Sequence, residues 1–268
     1  AFSADGGTAY ATLQENNAVA VIDLATAEVT EVFGLGFKDY SLPGNEIDAS
    51  DKDDRVNIRN WSVFGTYQPD GFDAYEVNGT TYLVTANEGD GREYESDSGD
   101  YIDEIRIKDL VPTQFTDELK EKLGSGFQDS ENLGRLLVMT DLGLVDQAAC
   151  SSLPITGQPI DSNENAVDGC VYENLYSYGA RSFTIWDIDT KRPVFDSGSD
   201  FEVITAQQLG SSFNASNDEN DGDSRSDAKG PEPEAVEIAV INDNTFAFIA
   251  LERVGGVMVY NITNPQSA

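Results

Sequence analysis

Histidine is absent from this 268-residue chain. Its absence excludes Ser-His-Asp and Cys-His nucleophile systems within the chain. It also removes zinc sites built on imidazole. Any catalysis would rest on carboxylates, Arg, Lys, Tyr or a hard metal ion. Cysteine is scarce, with only Cys150 and Cys170, too few for a closed structural zinc site. The stretch between them is polar, lacks periodicity and holds Pro154 and Pro159, so it reads as a long loop. A Cys150–Cys170 disulfide closing that loop would contribute on the order of 3 kcal/mol in the chain-entropy model. Such a pair suits an oxidising compartment.

Basic residues are few. Sixteen Lys and Arg stand against 49 Asp and Glu, for a net charge of −33. Nucleic acid is excluded as a partner, since binding it needs clustered cations against phosphate. An anionic membrane surface is disfavoured for the same reason. No run is long and apolar enough to span a bilayer. The chain opens on Ala1-Phe-Ser-Ala-Asp-Gly-Gly7, so a secretion signal is expected upstream of it. The expected location is extracellular or on the cell surface.

Apolar residues make up 39% and aromatics 10%, enough for a packed core. The acid excess repels itself unless counter-ions collect. It fits a solvated surface in saline surroundings, acidic loops that hold Ca²⁺, or both.

Three copied stretches organise the chain. They run Thr8 to Glu15, Thr81 to Glu88 and Thr245 to Glu252, each an apolar, β-branched run with Glu seven positions after Thr. Pro69-Asp70 and Pro233-Glu234 stand twelve residues before the second and third Thr. Val19–Asp23, Ser182–Asp187 and Val257–Asn261 follow as further short strands ending in Asp or Asn, and 29–33 and 193–196 read as outer strands. Four antiparallel strands per unit predict an all-β fold, a β-propeller in preference to a β-sandwich. The count gives a partial ring of about three to four blades across residues 1–268. Thr8 lies too near the start for a full leading strand. The expectation is a portion of a larger ring, with missing blades or a partner chain covering the exposed edges.

Long inserted segments fall at 34–66, 89–133, 146–171 and 204–230. The first contains Asp48, Asp51, Asp53 and Asp54. The second holds one short helix, Thr116–Leu123, with a capping Thr. Gly134–Thr140 reads as the strand returning from it.

These segments carry a resemblance. Gly36–Asn45, Asn57–Trp61, Tyr67–Asp70, Thr85–Asp90 with Arg92–Tyr94, Tyr178–Trp186, Phe213–Asn220, Gly230–Glu234 and Leu251–Gly256 resemble, in order, the choice-of-anchor I family. The resemblance implies an extracellular protein with a propeller core. The family is similar to the mesenchyme-specific cell surface glycoproteins of animals, linked to calcium mineral, and some members carry an alkaline phosphatase label. The 150–170 loop departs from the family's usual short Asp/Gly stretch, so the disulfide has no support from the family.

Blade topology gathers Asp70, Glu88, Glu234 and Glu252 on one face, with Glu15, Asp90, Arg181 and Arg253 nearby. Converging carboxylate oxygens suit Ca²⁺, and softer metals lack their ligands. Alternatively each Glu locks its own loop, with Arg181 and Arg253 as ion-pair partners. A second candidate metal loop is Asn217, Glu219, Asp221 and Asp223, which echoes the start of a calcium loop but lacks the twelfth-position Glu. The preferred function is a calcium-associated binding or structural module at an extracellular or cell surface, with a cell-surface or extracellular-matrix component as the expected partner. The alternative is a metal-dependent phosphoesterase, with the carboxylates holding the ion and Arg92 or Arg181 holding phosphate.

Overall fold

The three Thr-led repeats become strands in a computed structural model that describes residues 1–95, 100–150 and 156–268. In chain order the strands are β1 (Thr8–Leu13), β2 (Ala18–Asp23), β3 (Glu28–Gly34), β4 (Phe37–Asp39), β5 (Phe64–Thr66), β6 (Phe72–Val77), β7 (Thr80–Ala86), β8 (Glu93–Tyr94) and β9 (Tyr101–Ile102). They continue with β10 (Glu104–Arg106), β11 (Leu137–Met139), β12 (Tyr176–Ser177), β13 (Phe183–Asp187), β14 (Arg192–Asp196), β15 (Pro233–Ile241), β16 (Asn244–Leu251) and β17 (Val257–Asn261). Two α-helices are described, α1 (Asp117–Leu123) and α2 (Asp200–Leu209). The all-β expectation therefore holds.

Three antiparallel sheets follow the repeat: β1-β2-β3, β6-β7-β13-β14 and β15-β16-β17. Their hairpins are local. Asn78 and Gly79, at φ 53° and 84°, join β6 to β7, and Asn242 and Asp243, at φ 51° and 63°, join β15 to β16. Two consecutive left-handed residues match the twist of the paired strands. The first sheet packs on the second through Tyr10, Val19 and Phe33 against Leu83 and Trp186. The second packs on the third through Val84, Phe183 and Ile185 against Ala247 and Ile249. Gly71 N–H donates to the Glu234 carbonyl at 2.6 Å and ties the second sheet to the third. The described sheets stay separate and open.

Three expectations change. The segments read as irregular insertions carry order of their own, a two-stranded sheet β8-β9 and a five-stranded sheet β10-β11-β12-β5-β4 in which β12 and β5 run parallel. The larger sheet has its own core of Tyr40, Trp61, Ile107, Leu110, Leu136 and Tyr172. Its strands of two or three residues are too short to show a period, and their partners lie far away in sequence. Residues 96–99 and 151–155, within two of the expected loops, lie outside the described residues. The strand near 134–140 exists as β11 but belongs to this inserted sheet, and β13 is the strand that returns to β7. Finally, α2 adds a second helix. Its Val203-Ile204-Thr205 run favours a strand locally, but burial of Phe201, Glu202 and Thr205 fixes it as helix. The expected helix at 117–123 is present, with Thr116 Oγ1 accepting from Leu119 N at 3.2 Å.

Candidate functional site

Loops from all three stacked sheets meet at one charged rim. Gln14 follows β1, Glu88 follows β7 and Glu252 follows β16, so equivalent turns of the repeat supply them. Glu232, just before β15, completes the group: one carboxylate oxygen from each of Glu88, Glu232 and Glu252 lies within 4.8 Å of the others. Glu88 is 7% exposed and Glu232 is wholly buried.

Three cations answer the three carboxylates. Lys229 Nζ contacts Glu88 Oε1 and lies 3.6 Å from Glu232 Oε2. Arg225 Nε donates to Glu232 Oε1 at 2.5 Å. Arg253 Nε lies 3.1 Å from Glu252 Oε2 and 3.6 Å from Glu232 Oε2. Gln14 Nε2 donates to the second Glu88 oxygen at 2.8 Å. Burial pushes the Glu88 carboxyl above its ordinary value while Lys229 pulls it down. Burial works to lower the Lys229 ammonium, but Glu88 and Glu232 raise it overall. The rim is thus a balanced, partly buried ion network, with Lys229 Nζ lying between Glu88 and Glu232. Glu232 Oε2 and Arg253 Nε, facing each other at 3.6 Å, have no hydrogen-bond partner.

The other expected residues divide. Asp70 and Asp90 are exposed and Glu234 is half-buried, all around the same network. Burial raises the Asp70 carboxyl, with Lys229 opposing and Asp90 reinforcing. Glu234 is raised by burial and by the charges of Glu252 and Asp70. Glu15 accepts a long hydrogen bond from Tyr94 Oη at 3.4 Å. Arg92 leaves the rim for Asp103, at 2.7 Å, and Asp141. Arg181 is deep in the core at 1% exposure, held by Glu202 at 2.7 Å and by the carbonyls of Asp48, Ser226 and Ala228. Asn217, Glu219 and Asp221 are exposed, and Asp223 is partly buried. A cleft of about 740 Å³ lies in the inserted sheet beside Glu104, Arg106 and Gln158 and touches none of the expected residues.

Sequence reading missed Glu232, Lys229 and Arg225. The tandem Pro231-Glu232-Pro233-Glu234 was the available signal. The repeat register points to Glu234, but Glu232 takes φ 48° before a proline, a sparsely populated conformation.

Cys150 and Cys170 are joined in a disulfide. Stacked antiparallel sheets, a disulfide and a charged rim define an all-β module of several sheets. The chain belongs to the choice-of-anchor I family, whose domain model matches residues 1–265. It is similar to Gigasin-3a of Magallana gigas, with 33% identity over 110 residues, covering 39% of this chain and 39% of that protein. No solved structure matches it. Family and disulfide together suggest an extracellular or surface-associated module. No helix among the described residues is long and apolar enough to cross a membrane.

Proposed function

We propose that this chain is a calcium-associated binding and structural module of an extracellular or cell-surface protein, with its stacked sheets serving as blades of a β-propeller. The observation that carries the reading is the rim, where one turn from each stacked sheet contributes to a single ordered network. Convergence of equivalent loops on one face is what a propeller offers a ligand. The outer faces of the end sheets support the larger ring. Val29 and Val32 on β3 and Val257 and Val259 on β17 are more than half exposed, and further blades or a partner chain would stack there.

Calcium enters through charge. A net charge of −33 calls for counter-ions. Burial pushes the Asp48 carboxyl up to about 7 and the Asp223 carboxyl up to about 6, and neighbouring carboxylates push both further. At the rim, Asp70, Glu88, Asp90, Glu234 and Glu252 are ligands on condition that an ion displaces Lys229. The exposed Asn217, Glu219 and Asp221 would supply a weaker loop site, and Arg253, less tied than Arg92 or Arg181, would meet an anionic group of the ligand.

Thermal unfolding in millimolar calcium and in chelator tests the reading. Stabilisation of about 2.7 kcal/mol is expected at a hundredfold excess over the dissociation constant. An unchanged midpoint removes calcium from the function. Calcium-dependent hydrolysis of a phosphomonoester, abolished by Glu88→Gln or Glu252→Gln, would replace this reading with the phosphoesterase.

A further inference from the structure

Where the first sheet meets the inserted sheet, the turn after β1, the end of β3 and the start of β4 line a cleft of about 400 Å³. The rim carboxylates Glu88, Glu232 and Glu252 take no part in it. Phe37, on its wall, is 45% exposed. The Phe37 ring packs on Tyr176 at 4.5 Å between centroids, and Tyr176 stacks on Phe64 at 5.2 Å. The exposed ring is thus held in place by a second and a third, so little ordering is left to pay on binding.

The polar part of the wall offers both donors and acceptors. Arg92 is fixed by Asp103, at 2.7 Å from Nε, and by Asp141 through Nη2. Its Nη1 has no partner among the described residues. Asn16 is exposed on the same wall. Glu15 has the contact with Tyr94 Oη at 3.4 Å, longer than an effective O–H···O bond.

Charge selects the class of molecule that suits this wall. An anion would meet Arg92, but also Glu15, Asp103 and Asp141 on a chain of net charge −33. A cation would meet the fixed Arg92 guanidinium, with Glu15 alone left to answer it, since Asp103 and Asp141 are engaged. A neutral polyol gives hydroxyl hydrogens to Glu15 and Asn16 and accepts from Arg92 and Asn16. The Phe37 ring, negative on its face, adds a demand for a C–H surface. A pyranose ring supplies both, and the cleft volume falls within the roughly 300–1,000 Å³ of small-molecule sites.

We propose that this cleft binds one neutral pyranose unit of a saccharide, packed on Phe37 and hydrogen-bonded by Glu15, Asn16 and Arg92. The site goes beyond the calcium reading and needs no metal. Gly34 allows a test that spares the fold. It lines the cleft, its φ lies outside the left-handed region, and no atom stands within 4 Å of where its Cβ would be. Gly34→Leu therefore adds bulk to the lining without a clash.

Saturation-transfer NMR on the whole chain in chelator tests the site, with the methyl glycosides of glucose, galactose, mannose and N-acetylglucosamine as probes. At least one should bind saturably, in the millimolar range expected of so small a ligand. Phe37→Ala should weaken that binding about tenfold. Gly34→Leu should abolish it, with an unfolding temperature no lower than the parent's. Phe2→Ala, which removes a ring that is 66% exposed outside the cleft, should leave it unchanged. No saturable binding by any of the four probes overturns the site. Binding unchanged by Phe37→Ala or by Gly34→Leu overturns its location. Tighter binding of methyl glucosaminide or methyl glucuronide than of methyl glucoside overturns the neutral assignment. Each of these outcomes leaves the calcium reading to its own test, the melt with and without chelator.

Discussion

Arg181 shows how far a residue's role depends on a partner the local sequence does not announce. Blade topology offers it as a neighbour of the carboxylate face, able to hold phosphate or to pair with a Glu. In the fold its guanidinium donates to Glu202 and to three backbone carbonyls, with φ 54° turning the chain inward. Glu202 reaches it from α2, a helix hidden behind β-branched residues. Burial raises the Glu202 carboxyl, with Arg181 opposing. Replacing Glu202 by Gln leaves a buried cation without its counter-charge. The expected loss is about 3–5 kcal/mol, read as a lower urea midpoint at an unchanged slope. A loss within about 0.5 kcal/mol, the range of ordinary surface changes, would mean that the carbonyls alone hold the guanidinium. Glu88 and Glu252 were legible because the repeat carries them to equivalent turns. Lys229 was not, because its partner Glu88 comes from another sheet, and Glu232 was not, because Arg225 and Lys229 meet it within the irregular loop before β15.

At the scale of elements, the same division holds. The hairpins β6–β7 and β15–β16 announce themselves through alternation and through Asn78-Gly79 and Asn242-Asp243, all local signals. The inserted sheet depends on pairings such as Tyr176 with Phe64, which no local pattern encodes. The disulfide lies between these cases: two cysteines allow a single intrachain pairing, and Cys150 and Cys170 form it, both buried. Their separation of 20 residues sets the expected effect of Cys150→Ser with Cys170→Ser at a loss of about 3 kcal/mol. Denaturation under oxidising and reducing conditions should show the same difference in the parent and none in the double variant. Equal stability of the parent in both conditions would show that the loop is constrained without the bond.

The whole molecule holds buried phenols that respond to alkali. Tyr40, Tyr172 and Tyr178 are at most 1% exposed and donate to the carbonyls of Gly179, Thr140 and Asp103. Burial, foremost, pushes each far above the ordinary tyrosine value. The folded state keeps these protons while the unfolded chain releases them from about pH 10 upward. Their contribution is therefore complete below that pH and falls away as pH rises beyond it. Phenolate absorbance for this fraction should appear only in step with loss of the circular dichroism signal. Ionisation of all eleven tyrosines in an intact fold would refute this. Pairing of Ala86 with Phe183 across the insertion has a consequence for synthesis as well. The hairpin β6–β7 leaves the ribosome early with one edge bare, and its partner strand arrives only after the whole inserted sheet has emerged. Non-local pairing of this kind is slow and aggregation-exposed, so the central sheet of the stack is completed late, after the insertion has brought its own two ends together.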